Sequence, residues 1–168
     1  MIKILFICHG NICRSPMAEF VMKELVRRAG CADRFVIASA ATTTEELGRD
    51  THPGTRAELA RQGVPFTRRQ ARQLRWGEYG DWDYLVAMDR ENLADIPALL
   101  GADRDGKVRL LLSFAGEQRE VADPWYTGDF ATTYRDVVRG CEALLRTILA
   151  NEPPPGERKN AAEDTAAP

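Results

Sequence analysis

The first residues of the chain are an apolar run that ends abruptly in a short polar loop. Ile2 to Ile7 are almost wholly apolar, a pattern typical of a parallel strand that is covered on both faces. The loop runs from Cys8 to Ser15, and Pro16 is a residue type favoured at the first position of a helix. The start of the chain therefore predicts a buried strand, a sharp turn and a helix that begins at Pro16.

Strands and helices are predicted to alternate along the rest of the chain. Short apolar runs predict further strands, and apolar residues spaced by three and four predict helices. The strands are expected at Phe35 to Ser39, Tyr84 to Met88 and Val108 to Leu112, and the later helices at Gly54 to Gln62 and Phe130 to Ile148. This alternation favours the α/β class, as a single-domain, flavodoxin-like three-layer sandwich with a four-stranded parallel sheet. Ligands bind such sheets at the carboxyl ends of the strands, where the loop after the first strand lies.

The length of 168 residues fits one domain, which we assign to residues 1–150. Residues 151–168 contain four prolines and four alanines but no aromatic or branched aliphatic residue. Such a segment has little apolar surface to bury. We therefore predict a flexible tail that is rich in proline and alanine.

Charge and composition exclude several functional classes. The formal net charge of -2 argues against general attraction to nucleic acids or acidic membranes, and no apolar run approaches the roughly 20 residues that span a bilayer. The four cysteines lack the paired spacing of a structural zinc site. We expect a cytoplasmic protein, monomeric or weakly dimeric, with no metal, cofactor, nucleic-acid or membrane partner.

Cys8 and Arg14 are separated by five residues between the predicted strand and helix. A loop of this length can point successive backbone N–H groups inward and form a nest for phosphate or another oxyanion above the sulfur. Arg14 would clamp that anion, and Ser15 would donate a hydrogen bond to the sulfur. The amides, the helix N-terminus and the guanidinium all favour the thiolate of Cys8. Gly10 and Asn11 suit the left-handed conformations that the loop needs.

Nucleotide binding does not fit this loop. The phosphate loop of nucleoside triphosphatases requires a Gly-Lys-Ser/Thr ending, and the dinucleotide fingerprint requires Gly-x-Gly-x-x-Gly. Neither pattern is present, so the sequence predicts a phosphate site without a nucleotide.

The segments Cys8 to Pro16 and Asp123 to Tyr126 together resemble the low-molecular-weight protein tyrosine phosphatases. Ser39 to Thr42, Ala71 to Gln73 and Met88-Asp89 are also similar, so the resemblance covers roughly residues 1–150. It implies hydrolysis of phosphotyrosine in proteins, and of aryl phosphates, through a phosphocysteine intermediate. It assigns Cys8 as nucleophile, Arg14 as phosphate clamp and Asp123 as general acid and base.

The resemblance also implies roles for the residues around this centre. Those that bind phosphate or support the loop are His9, Gly10, Asn11, Ile12, Cys13, Ser15 and Ser39. Glu45, Trp125 and Tyr126 line the substrate slot, and Cys13 forms a reversible disulfide with the nucleophile. Three positions depart from the family pattern. Glu45 stands where an aromatic residue is usual, and His9 stands where a small or aliphatic residue is commoner. Arg69 stands where many relatives have a histidine that braces the loop.

Three rival functions share this loop or its ligand. An arsenate reductase needs further cysteines downstream, and residues 65–100 contain none. A protein arginine phosphatase prefers a hydroxyl residue where this chain has Ile12. A phosphopeptide-binding module has no need of both Cys8 and Asp123. Of the remaining candidates, Cys31 and Cys141 are predicted to be structural and His52 to be a turn residue.

Overall fold

The computed structural model describes residues 1–151 and contains a parallel sheet of four strands in the order β2-β1-β3-β4. The strands are β1 (Ile2–Cys8), β2 (Phe35–Ala41), β3 (Tyr84–Ala87) and β4 (Val108–Leu110). Each neighbouring pair is parallel, so all four carboxyl ends meet at one edge of the sheet. The predicted α/β class and four-stranded parallel sheet are confirmed.

Helices cover both faces of the sheet. They are α1 (Arg14–Arg28), α2 (Pro53–Arg61), α3 (Arg90–Leu100), α4 (Pro124–Thr127) and α5 (Phe130–Asn151). α1 and α5 pack together against one face, with α2 beside them, and α3 packs against the other face. The predicted three-layer sandwich is therefore confirmed.

The continuous apolar run of β1 follows from its central position. Successive side chains of a strand point to opposite faces. Ile4 and Phe6 pack under α1 and α5, whereas Leu5 and Ile7 pack under α3, and all four are fully buried. Burying each such side chain contributes about 1.5–3 kcal/mol, which anchors the strand that carries Cys8.

Several predicted boundaries were wrong by one or two residues, such as the end of β2, which lies at Ala41 and not at Ser39. The first helix begins at Arg14 instead of Pro16. Pro16 still lies in the first turn, where a missing N–H costs no helical hydrogen bond. The fourth strand ends at Leu110, because Leu111 and Leu112 turn away in a 3₁₀ segment and bury both side chains in the core beside α5.

The helix α3 was not predicted from the sequence. Its start carries a capping box in which the Asp89 carboxylate accepts from Asn92 N at 2.8 Å and the Asn92 side chain accepts from Asp89 N at 3.2 Å. Leu93, Ile96 and Leu100 supply its apolar side. Pro97 inside the helix hides this pattern in the sequence, because proline is normally a helix breaker.

The last helix ends at Asn151, the first residue of the predicted tail. The other residues of that tail, 152–168, lie outside the described residues, so its flexibility stays a prediction. Within residues 1–151, no helix combines the length and the apolar character needed to cross a membrane.

Candidate active site

The segment between β1 and α1 curls over the sulfur of Cys8. Cys8 ends β1 and Arg14 begins α1, and each side chain is only 3% exposed. Asn11 has a φ of 58°, in the left-handed region that asparagine tolerates better than most residues. In this conformation its backbone N–H points back at the sulfur, with Asn11 N 3.3 Å from Cys8 Sγ. The loop thus directs one backbone N–H at the sulfur, as predicted, whereas the left-handed conformation predicted for Gly10 was wrong.

Ser15 is the second hydrogen-bond partner of the nucleophile candidate. Its Oγ lies 3.0 Å from Cys8 Sγ, and both residues are buried. The Asn11 Nδ2 group donates to the same Oγ at 2.8 Å, which occupies a lone pair and leaves the hydroxyl hydrogen free to point at the sulfur. The Ser15 hydroxyl is therefore free to donate to the Cys8 sulfur.

Asn11 is the centre of the network behind the loop. Its Nδ2 donates to Ser39 Oγ at 2.9 Å as well as to Ser15, and its Oδ1 accepts from Arg72 N at 3.1 Å. Ser39 Oγ in turn donates to Glu19 Oε1 at 2.7 Å. Because a carboxylate only accepts, Glu19 fixes the direction of every hydrogen bond from Ser39 through Asn11 to Ser15.

Arg69 braces Asn11 from the other side. Its Nη1 donates to the backbone oxygen of Asn11 at 2.9 Å, and its Nη2 donates to Asn11 Oδ1. Burial lowers the pKa of Arg69, although the negative charges of Glu19, Cys8 and Asp50 oppose that effect. An arginine remains charged at any physiological pH, so the loop is held by a permanent cation.

Arg14 points into the site and is held by two carboxylates. Its Nη1 donates to Asp89 Oδ2 at 2.8 Å, and its Nη2 donates to Asp123 Oδ2 at 3.1 Å. Burial alone would lower the pKa of Arg14, but the negative charges of Cys8, Asp123 and Asp89 outweigh it and raise the pKa. The guanidinium is therefore a fixed, desolvated cation beside the sulfur, suited to a bidentate clamp on phosphate.

Asp123 reaches the same pocket from a distant part of the chain. It is the N-cap of α4, where its Oδ1 accepts from Trp125 N at 3.1 Å. The preceding residue, Ala122, is tied to α5: its N donates to Asp136 Oδ2 at 3.1 Å, and its O accepts from Thr133 Oγ1 at 2.8 Å. The long helix α5 thus sets the position of the carboxylate.

The loop, Arg14 and Asp123 enclose a pocket of about 610 Å³. Ten residues predicted for the site line it: Cys8, His9, Gly10, Ile12, Cys13, Arg14, Glu45, Asp123, Trp125 and Tyr126. The other three predicted residues, Asn11, Ser15 and Ser39, lie behind the loop as its supports. The structure therefore brings all of the predicted site residues together.

The pocket is lined by both aromatic and acidic side chains. Trp125 and Tyr126 are 59% and 85% exposed, unusually high for large aromatic side chains. His9 and Glu45 also line the pocket, with His9 Nε2 2.9 Å from Glu45 Oε2. Its lining therefore includes two exposed aromatic side chains and, at position 45, a carboxylate.

His52 links the aromatic side of the pocket to the loop. Its backbone N donates to Ile12 O at 2.8 Å, and its ring stacks on Phe130 and meets Trp125 edge to face. Its Nδ1 accepts from Gly54 N at 3.0 Å and caps α2. The predicted turn residue is thus also a support of the site.

The remaining cysteines differ from Cys8 in their surroundings. Burial, with Cys8 and Asp123 nearby, raises the pKa of Cys13 to about 12. Cys31 and Cys141 lie in the main core, and burial also raises the pKa of Cys141. Both match their predicted structural role, and neither lines the pocket.

Several residues of the site were not predicted from the sequence. Asp89, Glu91 and Glu120 line the pocket, and Glu19 terminates the network behind it. Asp89 directly follows a buried parallel strand, and that position was the available signal, because parallel strands end at the site. Glu91 and Glu120 lie in segments whose approach to Cys8 only the fold reveals.

Comparison with known proteins gives one consistent family. A family model described as low molecular weight phosphotyrosine protein phosphatase matches residues 3–153. The low molecular weight protein-tyrosine-phosphatase YfkJ of Bacillus subtilis is 36% identical over 150 residues, which are 88% of this chain and 96% of that protein.

Solved structures agree with the sequence comparison. The crystal structure of YfkJ has a TM-score of 0.85 at 35% identity and covers 91% of this chain and 98% of its own. The structure of the low molecular weight protein tyrosine phosphatase SP-PTP from Streptococcus pyogenes has a TM-score of 0.79 at 36% identity, covering 88% and 93%. The likeness therefore extends over nearly the whole of both relatives.

Proposed function

Because the chain belongs to the low molecular weight phosphotyrosine protein phosphatase family, we propose that it hydrolyses phosphotyrosine in proteins, with Cys8, Arg14 and Asp123 as catalytic residues. The observation that carries this proposal is the pair of donors aimed at one buried sulfur. Asn11 N–H and the Ser15 hydroxyl both reach Cys8 Sγ, and the Arg14 guanidinium shares the pocket. A thiolate held in this way is a nucleophile next to an anion site.

In the first step, the Cys8 thiolate attacks phosphorus in line with the ester oxygen. The S–P bond forms as the P–O bond to the tyrosine ring breaks, and Asp123 gives its proton to the departing phenolate. Arg14 and the loop amides stabilise the charge on the equatorial oxygens. The phosphoryl group is then carried on sulfur as phosphocysteine.

In the second step, water attacks phosphorus and Cys8 leaves as the thiolate. Asp123, now ionised, takes a proton from the water, and orthophosphate is released. Ser15 supports this step as well, because a hydroxyl that donates to the sulfur makes it a better leaving group.

The contact between Arg14 and Asp123 supports the acid role of Asp123. The Asp123 carboxylate accepts a hydrogen bond from Arg14 Nη2, and a bound phosphate would accept from the same group. The phosphate would therefore compete with Asp123 for Arg14. Substrate binding would therefore free the Asp123 side chain from Arg14 to act on the leaving group.

The depth of the pocket favours phosphotyrosine over phosphoserine. Cys8 is almost fully buried at the base, whereas Trp125 and Tyr126 stand exposed at the mouth. A phenyl phosphate spans that depth and packs on aromatic side chains, while a phosphoserine side chain is too short. Ile12 in the pocket lining adds an apolar contact that fits a phenyl ring.

We also propose a cytoplasmic location and redox control through Cys8 and Cys13.

The direct test is turnover of an aryl phosphate and of phosphotyrosine, phosphoserine and phosphoarginine peptides. We expect the native chain to prefer phosphotyrosine, Cys8→Ser to be inactive on every substrate, and Asp123→Ala to lose most with poor leaving groups. Full activity of Cys8→Ser would exclude the mechanism. Preference for phosphoarginine would instead identify a protein arginine phosphatase. Binding of phosphopeptides by the native chain without turnover would identify a phosphopeptide-binding module.

A further inference from the structure

Three carboxylates from separate segments stand at the mouth of the phosphate pocket. Glu45 lies between β2 and α2, Glu91 is in the first turn of α3, and Glu120 precedes α4. Glu45 and Glu91 are exposed, at 64% and 72% of their side chains. We call these three residues the acidic rim.

The acidic rim is held in place by contacts that leave its charge largely unneutralised. His9 lies between two of its members, with Nε2 2.9 Å from Glu45 Oε2 and Nδ1 4.0 Å from Glu91 Oε1. Glu120 Oε2 accepts from the backbone N of Arg90 at 2.7 Å. Each carboxylate therefore has a defined position at the pocket.

Other carboxylates of the pocket differ in having an arginine partner. Glu46 pairs with Arg49 at 3.1 Å, and Asp89 and Asp123 both pair with Arg14. Within residues 1–151, no lysine or arginine side chain lies within 4 Å of a rim carboxylate. The pocket thus combines a buried cation at its base with excess negative charge at its mouth.

This separation of charge has different consequences for the two parts of a phosphopeptide. The phosphate passes the rim and reaches Arg14 and the loop amides, which compensate its charge. The residues on either side of the phosphotyrosine stay outside and face Glu45, Glu91 and Glu120. Complementary charges at such a surface select partners and steer their approach.

We infer that the acidic rim selects phosphotyrosine sites flanked by lysine or arginine and disfavours sites flanked by aspartate or glutamate. This inference rests on the proposed phosphatase function and specifies its substrate class. An exposed ion pair changes affinity only about twofold, so the three carboxylates together correspond to about a tenfold preference at low salt.

The experiment compares kcat/KM for phosphotyrosine peptides of one length that carry lysine, serine or aspartate on both sides of the phosphotyrosine. An aryl phosphate without flanking residues serves as the reference substrate. The variant is the triple Glu45→Gln, Glu91→Gln and Glu120→Gln, which keeps the shape and the hydrogen-bonding oxygen of each side chain. The matched control removes three exposed charges elsewhere, as Asp33→Asn, Asp81→Asn and Glu142→Gln.

We expect the native protein and the control to prefer the lysine peptide over the aspartate peptide by about tenfold, mainly through KM. The preference should fall towards unity in the rim variant, and also in native protein as salt is raised from about 20 mM to about 300 mM. Equal kcat/KM for the lysine and aspartate peptides in native protein would overturn the inference while leaving the phosphatase function intact. So would an unchanged preference in the rim variant. Failure to hydrolyse even the aryl phosphate would instead reject the proposed function.

Discussion

Replacing Arg69 by methionine removes the cationic brace of the phosphate loop while keeping a long apolar side chain. Arg69 donates to both Asn11 O and Asn11 Oδ1. After the change, Oδ1 keeps its bond from Arg72 N, but the backbone oxygen loses this donor inside a fully buried residue. A hydrogen bond from a charged donor contributes about 1.5–3 kcal/mol, and the left-handed backbone of Asn11 costs about 1 kcal/mol to maintain.

We take about 2 kcal/mol as the stabilisation of the active loop conformation that is lost, because the Arg69 side chain is only partly buried and water can replace part of the interaction. At 1.36 kcal/mol per factor of ten, kcat/KM on an aryl phosphate should fall about 30-fold. Affinity for orthophosphate should fall with it, since the same loop conformation binds the product. The exposed neighbour Arg68 provides the matched control, and Arg68→Met should stay within about twofold of native protein.

The pH profile separates a charged brace from a merely structural one. In Arg69→His the brace would be a cation only below the ordinary histidine pKa of about 6.5, so kcat/KM relative to native protein should decline between about pH 6 and pH 8. Urea denaturation checks that each variant remains folded. Native kcat/KM and native affinity for orthophosphate in folded Arg69→Met would refute a bracing role for Arg69.

Three further predictions concern packing, redox chemistry and pH. Gly140→Ala should lower the free energy of unfolding by about 1–3 kcal/mol in urea denaturation, because the new Cβ would lie 2.3 Å from Leu111 Cγ. An unchanged free energy of unfolding would show that Leu111 can move aside without cost. Burial holds the Cys13 pKa at about 12, so peroxide should oxidise Cys8 first, and Cys13 should then form a disulfide with it as water is released. Mass spectrometry that finds Cys13 untouched and Cys8 overoxidised would contradict this. Hydrogen bonds from Arg27, followed by those from Arg28, lower the pKa of Glu24 to about 2. The ionised Glu24 side chain therefore stabilises the fold above about pH 4.5, and this contribution is lost as the pH falls towards 2. Glu24→Gln should therefore be less stable than native protein at pH 7 and equal to it near pH 2; a difference that does not change with pH would argue against the ion pairs.

Much of the fold could be predicted because its signals are local. The apolar run of β1 and the long stripe of α5 are visible in the sequence, since β1 buries side chains on both faces of the sheet and α5 buries one face against it. α3 was missed because Pro97 interrupts its pattern, and the end of β4 was misplaced because Leu111 continues the apolar run while leaving the sheet. A hydrophobic run reports burial, but it does not report the direction that the backbone takes.

The same distinction applies to the site. The residues from Cys8 to Ser15 are contiguous, and the sequence alone determined that they could form an anion-binding loop with a thiol at its base. Arg69, Asp89 and the acidic rim reach that loop from segments far away in the chain. Their positions depend on the parallel sheet, which gathers the carboxyl ends of its strands at one edge, and on α5, which fixes the segment before Asp123. Only the tertiary structure decided which charges surround the sulfur, because long-range contacts follow from packing and not from the local pattern of residues.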